Sequence, residues 1–198
     1  MSATVSVKTA LPRCYLDRVV ISYPHLFVAR QFQGEGKFWF SAAFLINPRT
    51  QAEQVKRMEA SCTAAADKLW PRGEWKEKHR LHNPKIFWWP IRDGAEKADK
   101  NGYDGMVFVQ AKTETPPGVA DQDVRPLIDQ SLIFPGCIVN AWIRFSAYAK
   151  PGWGIGCYLE NVQLVGGGTR LGGKPDISAD FEPVIDRMPE AVLAVLTA

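Results

Sequence analysis

The clearest pattern along the chain is a period-two alternation over residues 137–149. Cys137, Val139, Ala141, Ile143, Phe145 and Ala147 fall on one side of an extended backbone, and Asn140, Trp142, Arg144, Ser146 and Tyr148 on the other. The first set is a core face. The second combines rings, an amide, a guanidinium and hydroxyls, which is more than a solvated face needs. Lys150-Pro-Gly-Trp-Gly154 then reads as a turn, and residues 155–165 return along the first run. Residues 132–165 are therefore expected to form a long β-hairpin.

Three further runs read as strands. Residues 17–23 (DRVVISY) are β-branched and end at Tyr23-Pro24-His25. In residues 37–46, Phe38, Phe40, Ala42, Phe44 and Ile46 face one way, and Lys37, Trp39, Ser41, Ala43 and Leu45 the other. In residues 106–113, Val107, Val109 and Ala111 are expected to point inward and Phe108, Gln110 and Lys112 outward. One segment carries helical spacing: Val55, Met58, Cys62, Ala65, Ala66 and Leu69 make an apolar stripe over residues 50–69. Thr50 with Glu53 has the form of a capping box, and Pro71 and Gly73 end the segment. The pattern is that of a mainly β protein with one amphipathic helix and long loops.

Between these elements the loops differ in character. Residues 70–92 are irregular, basic and aromatic. Arg72, Lys76, Lys78, Arg80, Lys85 and Arg92 outnumber Glu74 and Glu77, and Trp70, Trp75, Phe87, Trp88 and Trp89 are interleaved. Cations neutralise phosphates and ring faces stack on bases, so this mixture suits a single-stranded nucleic acid. The plainer reading is that the tryptophans pack back onto the body; of Trp88 and Trp89, one is expected in the core and one exposed. Residues 91–105 are rich in Gly and Asp, but Tyr103 and Gln110 stand where a calcium loop needs ligands, so no metal is expected there.

Composition narrows the picture. A chain of 198 residues, 46% hydrophobic and 23% charged, can bury a globular core in one domain. No run of about 18 apolar residues is present, and the first dozen residues lack a signal-peptide layout. Four cysteines without CxxC spacing read as reduced, mostly buried thiols of a cytoplasmic protein, with Cys137 and Cys157 as candidate neighbours across the hairpin. The net charge of +3 is uneven: residues 176–198 carry five acids against Arg187, a charge of −4, which leaves +7 on residues 1–175. The expected division is a nucleic-acid-binding domain over 1–175 and an acidic-then-apolar tail over 176–198.

Catalytic signatures are missing. His79 and His82 lack zinc-spaced partners, and no phosphate loop or nucleophile elbow occurs. Asp93, Glu96 and Asp99 are the carboxylates a metal-dependent nuclease would use, but they are diluted by Arg92, Lys97 and Lys100.

Several segments together resemble a family of phage and prophage single-stranded DNA-binding proteins with an OB-fold, long classed as a domain of unknown function. They are Arg18-Val-Val-Ile-Ser-Tyr-Pro-His-Leu-Phe27, Gly34-Glu-Gly-Lys37 leading into Ser41-Ala-Ala-Phe-Leu-Ile46, Ile91-Arg-Asp-Gly-Ala-Glu-Lys97 and Gly102-Tyr-Asp-Gly105. Pro117-Gly-Val119, Pro135-Gly-Cys137, Tyr148 and Leu171-Gly-Gly173 complete the series, which spans roughly residues 17–181. Each motif is weak alone; their order and spacing are more specific. The resemblance implies an antiparallel OB barrel that coats single-stranded DNA in phage replication or recombination, and a C-terminal tail that recruits partners. Two features depart from the pattern. The tail ends in Met188-Pro-Glu-Ala-Val-Leu-Ala-Val-Leu-Thr-Ala198, which is apolar rather than densely acidic, and only two strands precede the helix, where the usual OB-fold has three.

The expected function is non-catalytic, largely sequence-independent binding of single-stranded DNA, without a cofactor and away from membranes. The candidate binding residues are Lys37, Trp39, Lys85, Trp88, Trp89, Arg92, Phe108, Lys112, Trp142, Arg144, Tyr148 and Trp153. An RNA-binding OB protein would carry the same side chains. A metal-dependent nuclease and a protein-binding adaptor are the competing functions from other classes. Monomer and dimer are both compatible with the sequence.

Overall fold

The computed structural model describes residues 13–31 and 36–172. The tail expected over 176–198 lies outside the described residues, as does most of the turn at Gln33-Gly34-Glu35-Gly36.

Strand β1 (Arg13–Gln31) is far longer than the sequence pattern suggested. It continues through Tyr23-Pro24-His25 because bulges absorb the interruption: register shifts fall between Ser22 and His25 and again between His25 and Arg30. An earlier bulge lies between Leu16 and Val19, where Arg18 has a φ of 48°. It is pinned from two sides. The Asp17 N–H donates to Gln54 Oε1 at 2.7 Å, and the Arg18 N–H to Asn140 Oδ1 at 2.9 Å. These bends let one strand serve two neighbours.

After β2 (Phe38–Ile46) come two helices, α1 (Ala52–Leu69) and α2 (Glu74–Arg80), so the single expected helix is joined by a second. Thr50 and Glu53 form no capping box. Gln51 is the N-cap residue without a side-chain cap bond, its carboxamide instead donating to the Asp17 and Arg18 carbonyls, and Glu53 pairs with Lys56. The apolar stripe of α1 buries Met58, Cys62, Ala65 and Ala66, but Leu69 is exposed. Short strands β3 (Phe87–Trp88) and β4 (Ile91–Asp93) follow, then β5 (Val107–Thr113), β6 (Gly118–Ala120), β7 (Ile138–Tyr148) and β8 (Trp153–Gly166).

Five of these strands close a barrel in the order β1-β2-β5-β8-β7 and back to β1. The closing seam is a parallel pairing of β5 and β8 at Lys112 and Tyr158. The expected OB-like barrel is present, and the count of two strands before the helix is correct: α1 enters between the second and third barrel strands. The interior is the apolar phase of each strand, including Leu16, Ile21, Phe44, Val109, Ile143, Phe145 and Ile155, all fully buried. All four cysteines are buried and unpaired. Cys157 lies opposite Phe145, not beside Cys137, and burial pushes its thiol and that of Cys62 far up.

Candidate nucleic-acid interface

The outer phases of the barrel strands converge on the seam. Trp39 of β2, Gln110 and Lys112 of β5, Tyr148 of β7 and Gly156 and Tyr158 of β8 line a groove of about 450 Å³, with Trp88 of β3 at its side. The registers account for the meeting: Lys112 pairs with Tyr158, Trp88 with Gly154, and Tyr148 with Gly154. Gly154 is what allows it. A Cβ there would lie 2.6 Å from Trp88 Cβ and 2.7 Å from the Tyr148 hydroxyl. Trp88 and Tyr148 therefore occupy the volume a side chain at 154 would need.

Cations back the rings. Lys112 Nζ lies 4.3 Å from the Trp39 ring centre and brings positive charge into the lining. Lys37 stands at the margin, 5.9 Å from the same ring, bound to Glu114 at 2.9 Å, which raises its pKa. The Arg92 guanidinium sits 5.1 Å from Trp88 and pairs with Glu96. Arg144 lies 5.0 Å over the Tyr158 ring. Such cation–π contacts hold rings in place while leaving the remaining surface open to a ligand. Burial, then the neighbouring Tyr158, raises the Tyr148 pKa, so its phenol stays neutral and able to donate. The groove thus offers stackable rings, an amide, a phenol and a lysine, which are the groups that hold bases and phosphates.

Of the residues expected from sequence, Trp39, Trp88, Lys112 and Tyr148 line this groove, with Lys37, Arg92 and Arg144 against its rings. Four others are placed elsewhere. Phe108 is on the outward phase of β5 but fully buried, because Tyr103 and Leu45 cover that end of the sheet and Lys97 lies 4.8 Å over the ring. Trp89 packs against the core, stacked on Trp75 at 5.8 Å and beside His79 at 4.2 Å. Trp153 stacks on Trp70 at 4.6 Å, with Lys78 4.8 Å away. Lys85 is exposed in the Asn83 turn and is not among the lining residues. Trp88 and Trp89 do divide as expected, one outward and one packed on the core.

Trp142 is 37% exposed and belongs to a neighbouring patch. Tyr15 covers it from β1 at 5.2 Å, and Arg13 sits 4.4 Å over the ring. The loop over 70–89 does not line this patch.

Tyr158, Gln110 and Gly154 are the members sequence reasoning missed. Tyr158 was findable: it alternates with Ile155, Cys157 and Leu159, which fixes it on the outer phase. The three carboxylates considered for a nuclease are otherwise engaged. Asp93 caps a 3₁₀ turn by accepting from the Ala95 N–H at 2.9 Å, Glu96 holds Arg92, and Asp99 holds Lys100 at 2.8 Å. Among the described residues no group of three or more His, Cys, Asp or Glu could hold a metal ion, and no helix is long and apolar enough to cross a membrane.

Comparison with known proteins finds the same fold among phage proteins. The single-stranded DNA-binding protein of bacteriophage Enc34, solved in complex with single-stranded DNA, superposes with a TM-score of 0.67 at 22% identity, covering 81% of this chain and 90% of that one. The bacteriophage T7 single-stranded DNA-binding protein gp2.5 superposes with a TM-score of 0.56 at 14% identity, covering 83% of this chain and 97% of that one. At these identities the likeness concerns the fold. A curated relative, putative protein p50 of Acyrthosiphon pisum secondary endosymbiont phage 1, is 29% identical over 161 residues, which is 80% of this chain and 85% of that protein. The model of the family described as "Enterobacter phage Enc34, ssDNA-binding protein" matches residues 13–192, and the chain belongs to that family.

Proposed function

We propose that this protein is a non-catalytic, largely sequence-independent single-stranded DNA-binding protein that works in phage DNA replication or recombination inside the bacterial host cell. The observation that carries the reading is the seam groove, where Trp39, Trp88, Tyr148 and Tyr158 surround Lys112. Bases stack on the rings whatever their identity, because every base has a π-face, and the cations meet the backbone. Duplex DNA offers no unstacked base to such a groove. The family and the two phage proteins of similar fold support the same ligand.

Fluorescence titration against single-stranded and blunt duplex DNA at several salt concentrations tests this. Single strands should bind more tightly. Contacts to roughly three to five phosphates should give a log–log salt slope of about −2 to −3.5. Equal affinity for duplex together with a flat salt response would overturn the proposal.

A further inference from the structure

Beside the groove lies a second cavity of about 450 Å³ that none of the residues named above for DNA contact, Trp142 excepted, enters. Its walls are the rings of Tyr15 and Trp142 on one side and Val119 and Ala120 of β6 on the other, with Val162 and Asn161 of β8 between. We propose that it is a separate subsite which takes one nucleobase of a strand already held in the groove; this rests on the reading given under Proposed function.

The backbone opens this cavity at one point. Trp142 pairs with Asn161 but Ile143 pairs with Leu159, so Glu160 is an extra residue in β8. A bulge of this kind turns two successive side chains to the same side of the sheet. The sequence carries the mark: the buried phase of β8 runs Ile155, Cys157, Leu159 and then shifts to Val162, Leu164. Glu160 and Asn161 consequently both face outward, and each has a different task.

Glu160 binds two guanidiniums, Arg13 at 2.6 Å and Arg144 at 3.2 Å. Arg13 and Arg144 stand directly opposite in the β1–β7 register and would repel without it. Two cations against one anion leave a positive rim suited to a phosphate. Arg13 touches Trp142 without lining the cavity, so the ring is held from outside and still presents surface inward. On the other flank Arg144 lies over Tyr158 of the groove. The rim thus joins groove and cavity, and two residues of β8 lie between Tyr158 and Asn161, whose three strand steps span about 10 Å.

Asn161 supplies the polar contact. Two other carboxamides in the lining are already committed: Asn140 binds the Arg18 N–H and Gln163, and Gln163 donates to the carbonyls of Asp121 and Gln122. Among the described residues the Asn161 carboxamide has no hydrogen-bond partner, so its donors and acceptor are available to a base edge. Gly118, paired with Asn161, admits β6 this closely: a Cβ there would stand 2.5 Å from Asn161 Oδ1. A slot with aromatic and aliphatic walls, one uncommitted amide and guanidiniums at its mouth matches a nucleotide better than an aliphatic peptide or lipid, which would leave the amide and the charges unused.

The test is a length series of oligodeoxynucleotides bound to the full chain and to its Trp142→Ala, Asn161→Leu and Trp39→Ala variants, with melting curves and sizing chromatography for each. Trp39→Ala should weaken binding at every length. Trp142→Ala should match the wild type on the shortest oligonucleotides and fall behind by roughly 5- to 160-fold once the strand is long enough to reach the cavity, the range for one lost stack. Asn161→Leu, which keeps the packing, should lose several-fold at the same lengths with unchanged melting, and decides the matter if Trp142→Ala does not fold. The proposal is overturned if both cavity variants bind like the wild type at all lengths while Trp39→Ala is weakened, or if Trp142→Ala changes only the oligomeric state. Wild-type affinity in all three variants would remove the groove reading as well.

Discussion

The short pairing of β3 with β8 has an aromatic region on each side. Phe87 and Trp153, opposite each other in register, turn towards Trp70, Trp75 and Trp89; the next pair, Trp88 and Gly154, turns towards the groove. The residue types are alike, tryptophans with lysines or arginines close by. What differs is the cover. On the first side α1 and α2 bring rings against rings: Trp70 and Trp75 are 6% and 5% exposed, and the Trp75 indole N–H donates to Asp67 at 2.9 Å. On the second, the facing residue is a glycine and the next cover is a cation. Rings packed against other rings hold the fold together, and rings backed by a cation and facing a gap have surface left for a ligand.

That contrast predicts opposite phenotypes for the same substitution. Trp75→Ala should cost about 3–5 kcal/mol of stability, as for other large aromatic truncations in a core. Its melting temperature should drop by several degrees or more, while the molecules still folded bind DNA as before. Trp88→Ala and Trp39→Ala should behave the other way round, losing about 1–3 kcal/mol of binding with a small change in melting. Parallel melting and titration of the three variants checks this. If Trp75→Ala weakens binding in a protein of normal stability, the division between the two regions is wrong.

How far the sequence disclosed this division depends on what each signal measures. Period-two alternation records which side of a strand a residue takes, and it placed Trp39, Lys112, Arg144 and Tyr148 correctly. It does not record what lies above that side. Phe108 has the same outward phase as Lys112, four residues on, yet the 94–106 loop closes over it. Nor does a basic, aromatic loop reveal whether its rings meet solvent: α2 has only seven residues, too few to show a helical stripe, and without it Trp75 and Trp89 look like Trp88. The long β1 was hidden for a related reason, since each bulge resets the phase on which the strand would be recognised. The barrel closure depends on pairing β5 with β8, two strands distant in sequence, and a local pattern carries no information about that.

Gly154→Ala probes the boundary between the two regions directly. The new methyl would press on Trp88 and Tyr148 from within the groove, at distances no real Cβ adopts. Overpacking of this kind costs about 1–3 kcal/mol. Because the groove rings are the groups that must give way, affinity should fall along with stability, unlike Trp75→Ala. A smaller effect is expected from Lys112→Gln, which removes charge and keeps length. If Lys112 meets one phosphate, the salt slope should become shallower by about 0.7. An unchanged slope with weaker binding would mean that the lysine acts by holding Trp39.

The smallest effect separates the regions by pH. His79 lies within the packed cluster, 4.2 Å from Trp89, and burial, then the charge of His82, lowers its pKa. His25 is lowered in the same way, by burial and Arg30. In both, the folded state disfavours the proton, whereas the unfolded chain takes it up at about pH 6.5. Below that pH the unfolded state binds more protons, so the histidine contribution is complete at neutral pH and is lost as the pH falls towards the lowered folded values. Carboxylates held down by their partners, such as Asp99 and Glu53, act in the same direction but only near and below about pH 4.5, which leaves the interval from pH 7 to 5 to the histidines. No histidine or carboxylate lines the groove, and its Tyr148 is shifted upward. The melting temperature of the wild type should therefore decline gently from pH 7 to pH 5. His79→Gln should show a lower but flatter dependence, with His25 contributing to the slope that remains. An equal slope in the variant would show that His79 gives up no proton-linked stability and that the packing around it is looser than the ring distances indicate.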